Sequence, residues 1–256
     1  MPVPPEKDWR YQIQNIARGW LFSDVNSDGN IDYFPKTVIL PLENPYLHDH
    51  ELFVSKLSES QTYRCISIGK HKDHLVGVLK SKFGAPAVAM TVDVLATLGV
   101  ESIIGVGFCG GLQKHIQCGD LVLPLACVRD DGTSVRYVAE AYPAVADIYS
   151  LDLLRNLAEA SSHPWHCGLV WSTDAVLLET SALVEHWSNR GVSGVDMESG
   201  ALFTLARLLG VRAAAILVAS DNPASGQEME PDKLSAGIAA AIDLSFEFAH
   251  SDLSKH

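Results

Sequence analysis

The stretch Ser102-Ile-Ile-Gly-Val-Gly-Phe-Cys-Gly-Gly-Leu112 is an apolar run that leads into a cluster of glycines. A short run of apolar and β-branched residues is typical of a strand that is buried on both faces. Glycines after such a strand predict a turn, because they supply unusual backbone dihedrals and let N–H groups approach a ligand closely. We therefore expect a central strand with a binding site near its carboxyl end.

Predicted strands and helices alternate on both sides of this stretch. Residues 37–42 have the apolar, β-branched pattern of a buried strand, and residues 85–98 have helical periodicity with Gly99 as a stop signal. This alternation predicts an α/β sheet that is covered on both faces, with ligands bound where strands end. The other predicted elements are a helix over 9–21, a meander over 63–68 and 75–79, strands over 120–125, 168–173 and 213–220, and helices over 151–160, 198–209 and 231–248.

The composition limits the class of partner. The chain has 256 residues and a formal net charge of −12, and a strongly acidic surface repels nucleic-acid backbones and anionic membranes. We therefore expect a small molecule as partner, and neither nucleic acid nor membrane. Five cysteines at irregular spacings give no disulfide framework, and the N-terminal MPVPPEKDWR lacks the apolar core of a signal peptide. A cytoplasmic location is expected.

The segment DVNSDGNID, residues 24–32, has part of the pattern of a calcium-binding loop. Oxygen-bearing side chains occur at alternating positions, but the twelfth position, which should hold a bidentate glutamate, is Pro35. The alternative is a polar turn closed by Asx side chains. We expect a calcium ion, if one binds, to brace an N-terminal extension over residues 1–36. The candidate calcium ligands are Asp24, Asn26, Asp28, Asn30 and Asp32.

Acidic residues accompany two further predicted strands. Asp196 and Glu198 flank Met197 at the start of the helix predicted over 198–209, and Asp221 ends a strongly apolar strand. Burial at a strand end would raise the pKa of Asp221 and keep a proton available for catalysis. Structural alternatives exist, because acids are also common in the first turn of a helix and as helix caps. Both strand ends are therefore candidate catalytic sites.

In their order and spacing, five motifs resemble those of the nucleoside phosphorylase and nucleosidase superfamily. The motifs are Gly107-Phe-Cys-Gly-Gly-Leu, Cys118-Gly-Asp-Leu-Val-Leu, Ser172-Thr-Asp-Ala, Val195-Asp-Met-Glu-Ser and Ser220-Asp-Asn. The resemblance covers residues 37–250 and implies a single-domain, three-layer α/β/α fold with a central mixed twisted sheet, formed by residues 37–256. It also implies cleavage of the bond between a base and ribose, and a homo-oligomer, either a dimer or a hexamer.

The resemblance assigns roles to individual residues. Asp221 corresponds to the acid that protonates a departing purine at N7, and Glu198 to the carboxylate that accepts hydrogen bonds from the ribose hydroxyls. Met197 would pack beneath the sugar, since a thioether can cover an apolar ring face, although a plain core methionine is the alternative. Val176 stands where several members stack an aromatic on the base. The other predicted substrate-binding residues are Asp196, Phe108, Cys109, Gly110 and Asn222.

The attacking group is where the sequence departs from the phosphorylases. They place an arginine and a serine or threonine where this chain has Gly105 and Phe108, and phosphate needs such donors. Glu43 matches a glutamate that activates water in related nucleosidases, so we expect hydrolysis, with Glu43 as base and without a cofactor or metal. One alternative is a purine or uridine phosphorylase with inorganic phosphate as co-substrate and with Lys80, Lys82 or a neighbouring subunit at the anion site. Another is a non-catalytic nucleoside-binding protein.

Overall fold

The computed structural model describes residues 19, 34–42, 50–80 and 82–254. Several predictions fall outside the described residues. They concern most of the helix over 9–21, the candidate calcium ligands Asp24, Asn26, Asp28, Asn30 and Asp32, and the candidate base Glu43.

Within the described residues, ten strands join one mixed sheet, and seven helices accompany it. The strands are β1 (Thr37–Pro41), β2 (Ser58–Thr62), β3 (Ile66–His71), β4 (His74–Leu79), β5 (Ser102–Gly111), β6 (Leu121–Asp130), β7 (Ala144–Val145), β8 (Trp165–Thr173), β9 (Val192–Asp196) and β10 (Arg212–Asp221). The helices are α1 (His50–Val54), α2 (Gly84–Thr97), α3 (Ser134–Tyr137), α4 (Ile148–Ala160), α5 (Ser181–Ser188), α6 (Ser199–Leu208) and α7 (Pro231–Leu253), with a 3-10 turn over Val176–Leu178.

Strand β5 organises the sheet. It pairs in parallel with β1 on one side and β10 on the other, and its last two residues pair antiparallel with β9. From β9 the pairing continues through β8 and β6 back to β10, so that β5, β9, β8, β6 and β10 form a closed ring. Strands β1, β4, β3 and β2 extend the sheet outward from β5. The predicted central mixed sheet is confirmed.

The main helices cover both faces of the sheet. A Cβ on Gly105 of β5 would lie 2.9 Å from the Leu202 side chain of α6, so α6 covers the face on which Gly105 and its β10 partner Ala215 point. Val218 is three positions further along β10 and points to the opposite face, where its Cγ1 lies 2.7 Å from a Cβ built on Gly237 of α7. Helix α2 packs on α6, and α4 packs on α7. The three-layer α/β/α prediction is therefore confirmed.

The glycine cluster of β5 differs from the prediction. Instead of forming a turn after the strand, Gly110 and Gly111 continue β5, and neither has a positive φ. A Cβ on Gly110 would lie 3.1 Å from Val195, and one on Gly111 would lie 2.9 Å from Asn222 Nδ2. These glycines therefore permit β9 and the end of β10 to approach β5 closely, which is a packing requirement and not a turn requirement.

Helix α7 is the longest described helix, with 23 residues. Charged residues recur along it, and no helix in the described part of the chain combines the length and the apolar character that crossing a bilayer requires.

Candidate active site

The ring of strands brings distant parts of the chain into one line. Asp221 of β10 is paired with Gly110 of β5, Gly110 with Val195 of β9, and Val195 with Trp171 of β8. Because β5 and β10 are parallel, both end at the same edge of the sheet, where β9 joins β5. We call this line of four residues the seam. The seam brings the end of β9, with Asp196, to the same edge of the sheet as the end of β10, with Asp221.

A cavity of about 240 Å³ opens at the seam. It is walled by apolar side chains and carries carboxyl groups, the composition expected of a small-molecule site. The predicted residues that line it are Phe108, Cys109, Gly110, Val176, Asp196, Met197 and Asp221. The structure thus brings most of the predicted binding residues, and the predicted acid, into one cavity.

Asp221 enters the cavity from the end of β10. The Ser220 hydroxyl donates a hydrogen bond of 2.8 Å to Asp221 Oδ1. The carboxyl lies beside Gly110, since a Cβ at that position would make an ordinary van der Waals contact of 3.6 Å with Oδ1. The side chain is partly exposed, so the burial predicted for it is incomplete. Asp221 is therefore oriented by its neighbour and open to a ligand.

The carboxyl group of Asp196 is buried, and one of its two oxygens accepts a hydrogen bond. Its Oδ2 accepts a hydrogen bond of 2.9 Å from the Ser199 amide at the first residue of α6. Its Oδ1 has no hydrogen-bond partner in the described part of the chain. Burial raises the pKa of Asp196, while the hydrogen bonds from Ser199 act in the opposite direction. Asp196 lines the cavity, whereas its Oδ1 is itself buried beneath the cavity surface.

Glu198 stands at the start of α6, as the sequence predicted, and its carboxyl points to another helix. It is 1% exposed, and its Oε1 accepts a hydrogen bond of 2.7 Å from the Gly84 amide at the first residue of α2. The positive end of a helix dipole stabilises a carboxylate there. Glu198 is not among the described residues that line the cavity. The structure gives it an anchoring contact between α6 and α2, and its contact with ribose stays a prediction.

Asn222 is also placed as a structural residue. It is fully buried, and its Nδ2 donates to the carbonyl oxygens of Gln113 and Ile116, each at 2.8 Å. Its Oδ1 accepts from the Ser225 amide at 2.9 Å. With its amide group occupied, Asn222 ties the end of β10 to the segment after β5. The structure gives Asn222 this structural role, and its contact with substrate stays a prediction.

Phe108 and Cys109 form part of the cavity wall. Both are buried, and Phe108 presents a ring where the resemblance places a hydroxyl donor to phosphate. Burial raises the pKa of the Cys109 thiol well above its usual range, and the charges of Asp196 and Asp221 raise it further. A thiol that keeps its proton is a poor nucleophile, so Cys109 serves as an apolar wall residue.

The region of the predicted phosphate contacts is filled by apolar side chains. A Cβ on Gly105 would lie 2.7 Å from Leu42 Cδ1 and 2.9 Å from Leu202 Cδ2, and both leucines are fully buried. An arginine at position 105 has no space in this packing. Neither Lys80 nor Lys82 lines the cavity, and the described lining residues include no cationic side chain.

Sequence reasoning missed one carboxyl of this cavity, that of Glu179. It follows the 3-10 turn over Val176–Leu178 and lines the cavity together with Asp221. Burial raises the pKa of Glu179 to about 7, and the charge of Asp221 contributes to the rise. The available signal was an acid at the end of the short apolar run Val176-Leu-Leu, close behind the end of β8.

Comparison with known proteins identifies related sequences. A family model described as the phosphorylase superfamily matches residues 40–245. A guanosine phosphorylase of Halorubrum lacusprofundi is 31% identical over 69% of this chain and 73% of its own length. A purine nucleoside phosphorylase of Vibrio cholerae is 28% identical over 78% of this chain and 86% of its own length. A uridine phosphorylase of Thermococcus kodakarensis is 31% identical over 68% of this chain and 67% of its own.

Solved structures show the same architecture. The crystal structure of uridine phosphorylase from Vibrio fischeri ES114, complexed with 6-hydroxy-1-naphthoic acid, matches with a TM-score of 0.78 and 28% identity. The match covers 89% of this chain and 94% of that one. A Plasmodium knowlesi protein, described as the homologue of P. falciparum PNP, shares the fold with a TM-score of 0.71 at 23% identity.

Proposed function

The chain belongs to the phosphorylase superfamily, and from this premise we propose that it is an enzyme that cleaves the N-glycosidic bond of a purine-type nucleoside. One observation carries the proposal: the seam places Asp221, Asp196 and Met197 in a single cavity. The related proteins named above are nucleoside phosphorylases. Their shared chemistry supports bond cleavage between base and sugar.

Asp221 is the proposed acid. When the glycosidic bond breaks, its electron pair stays on the base, and a carboxyl group held beside the base can supply a proton. Such a proton donor contributes about 10²- to 10⁴-fold to the rate. A purine nitrogen accepts this proton directly, which supports a purine over a pyrimidine. Met197 and Asp196 are the proposed contacts to the sugar, with Glu198 as the further ribose ligand predicted from the sequence.

The charge of the cavity favours a nucleoside over a nucleotide. Its described lining includes the carboxyl groups of Glu179, Asp196 and Asp221 and no cationic side chain. A phosphate group on the substrate would meet carboxylates without a fixed donor to bind it. The proposed substrate is therefore a nucleoside without a 5′-phosphate.

Two attacking groups are supported by different observations. The related proteins are phosphorylases, which supports inorganic phosphate as co-substrate over hydrolysis. Because the described lining of the cavity includes no cationic side chain, that phosphate would be held by residues outside this lining. One specific observation supports hydrolysis. Leu42 and Leu202 pack over Gly105 and leave no space there for an arginine that could bind phosphate. In the hydrolytic candidate, Glu43 is the proposed base that activates water.

Base release from a panel of nucleosides tests the proposal. We expect release of free base from at least one purine nucleoside, because acid and sugar contacts share one cavity. The assay is run with and without inorganic phosphate, and the sugar product is identified by mass spectrometry. Ribose 1-phosphate formed only with phosphate identifies phosphorolysis. Free ribose formed without phosphate, and lost in Glu43→Gln, identifies hydrolysis. Release of no base from any nucleoside would contradict the proposed function.

We also propose that the chain forms a homo-oligomer. Three consecutive apolar residues, which begin with the cavity-lining Val176, support this, because Val176, Leu177 and Leu178 are 43%, 96% and 64% exposed. Contiguous apolar side chains at a surface are typical of protein contacts. Light scattering on the full chain is expected to give a mass of two or more protomers, and a monomer at micromolar concentration would contradict this expectation.

A further inference from the structure

Two carboxyl groups reach the cavity from different parts of the fold. Asp221 arrives at the end of β10, whereas Glu179 arrives from the segment after β8, behind the 3-10 turn. Strands β8 and β10 are joined at the seam through β9 and β5, so both segments end beside the same space. Both carboxyl groups therefore line one cavity, in which a single ligand can contact both.

The surroundings of Glu179 favour a proton over a negative charge. Val176, Met229 and Leu234 share the cavity wall with it and offer no hydrogen bonds from their side chains. The titratable groups that face the same space are Asp221, Asp196 and Cys109, and none of them can supply a positive charge. Two carboxylates in one apolar site repel each other, so one of the pair tends to keep its proton.

The pKa of Glu179 agrees with these apolar and acidic surroundings. Burial, followed by the charge of Asp221, raises the pKa of Glu179 to about 7. Near neutral pH, Glu179 therefore keeps a proton far more often than an ordinary glutamate, which is ionised. A proton is thus available in the cavity at the pH at which most enzymes work.

We propose that Glu179 and Asp221 act as one acid, a carboxyl pair that shares the proton delivered to the departing base. This inference rests on the proposed function and adds a catalytic residue to it. The pair resembles other enzyme sites in which neighbouring carboxyl groups divide the acid and base roles.

The proposed step is balanced in atoms and charge. The bond between C1′ and the base nitrogen breaks, and its electron pair moves to the base. The shared proton passes from the pair to a base nitrogen, which leaves the base neutral and the pair doubly ionised. The attacking group, phosphate or water, forms the new bond to C1′. If water attacks, one of its hydrogens stays on the new hydroxyl and the other leaves as a proton to the proposed base or to solvent. After the products depart, the pair takes one proton back from solvent.

The pH dependence of kcat/KM tests the pair. In the wild type, activity is expected to hold at acidic pH and to fall about tenfold per pH unit above about pH 7, where the proton is lost. In Glu179→Gln the falling limb should move to lower pH by more than about one unit, with at least about tenfold less activity at neutral pH. Glu179→Asp keeps a carboxyl group, so its kcat/KM should still begin to fall near neutral pH. Glu185→Gln, on the exposed face of α5, is the matched control and should leave the profile unchanged.

A second measurement needs no turnover. Infrared spectra of the ligand-free protein, compared between about pH 6 and about pH 8, should show a protonated carboxyl that disappears with rising pH and is absent in Glu179→Gln. In Asp221→Asn this band should titrate at lower pH, because the neighbouring charge is gone. A Glu179→Gln profile that matches the wild type, or a band unchanged in that variant, overturns the pair. A wild type that releases no base while showing the band contradicts the proposed function alone.

Discussion

Asp221→Asn is expected to slow base release about 10²- to 10⁴-fold, because an amide cannot give a proton to the departing base. Asparagine has the same shape as aspartate, and its side-chain oxygen can still accept the hydrogen bond from Ser220. The partly exposed site tolerates the exchange, so the melting temperature should change little. The measurement is kcat/KM for the best nucleoside, compared with Asp232→Asn, an exposed acid on α7.

Ligand affinity, measured in the same variant, separates an enzyme from a non-catalytic binding protein. In the proposed enzyme, Asp221→Asn lowers kcat much more than it weakens nucleoside binding, since the proton matters mainly in the transition state. A loss of less than about tenfold in kcat/KM would contradict the acid role of Asp221. A wild type that binds nucleosides without turnover would identify a non-catalytic nucleoside-binding protein.

Gly119→Ala is expected to have the largest effect on stability. Gly119 lies between β5 and β6 with a φ of 91°, and a Cβ there would overlap the backbone carbonyl of Lys233 in α7. The overlap costs about 1–3 kcal/mol, and the left-handed backbone adds about 1–2 kcal/mol. A total of about 3 kcal/mol lowers the melting temperature of a chain of this size by roughly 10 °C. Calorimetry on the purified variant provides the measurement.

Two further variants separate the causes. Gly226→Ala has a similar φ of 75° but no atom within 4 Å of the new methyl group, so it reports the backbone cost alone. Gly237→Ala lies inside α7, where the new methyl would overlap the Gly119 carbonyl and lie 2.7 Å from Val218 Cγ1, so it reports crowding. Equal, small losses in all three variants would show that α7 can shift away from the sheet.

The parts of the fold that the sequence predicts are those with a local signal. The apolar runs of β1, β5 and β10 and the periodic helices α2, α6 and α7 lie where the sequence analysis placed them. Strand β2 was missed because all of its residues are exposed and polar, so it carries no alternation. The ring of strands could not be predicted, since pairing between β5, β9 and β10 depends on contacts between distant segments.

The candidate site divides in the same way. Asp221 and Asp196 were predictable, because an acid at the end of an apolar strand is a local pattern. Glu198 contacts Gly84, which is 114 residues away in the sequence, and Asn222 contacts Gln113, which is 109 residues away. No local sequence pattern reveals partners at such distances. Glu179 was missed because its raised pKa comes from burial and from Asp221, and both arise only after folding.

The seam also determines how this edge of the sheet should lose its order on heating. Its four residues belong to strands of the closed ring. No strand of the ring can separate from its neighbours without breaking hydrogen bonds on both of its edges. On heating, the four seam positions should therefore lose their order together in one cooperative step, whereas the exposed segment that carries Glu179 lies outside the ring and can open before it.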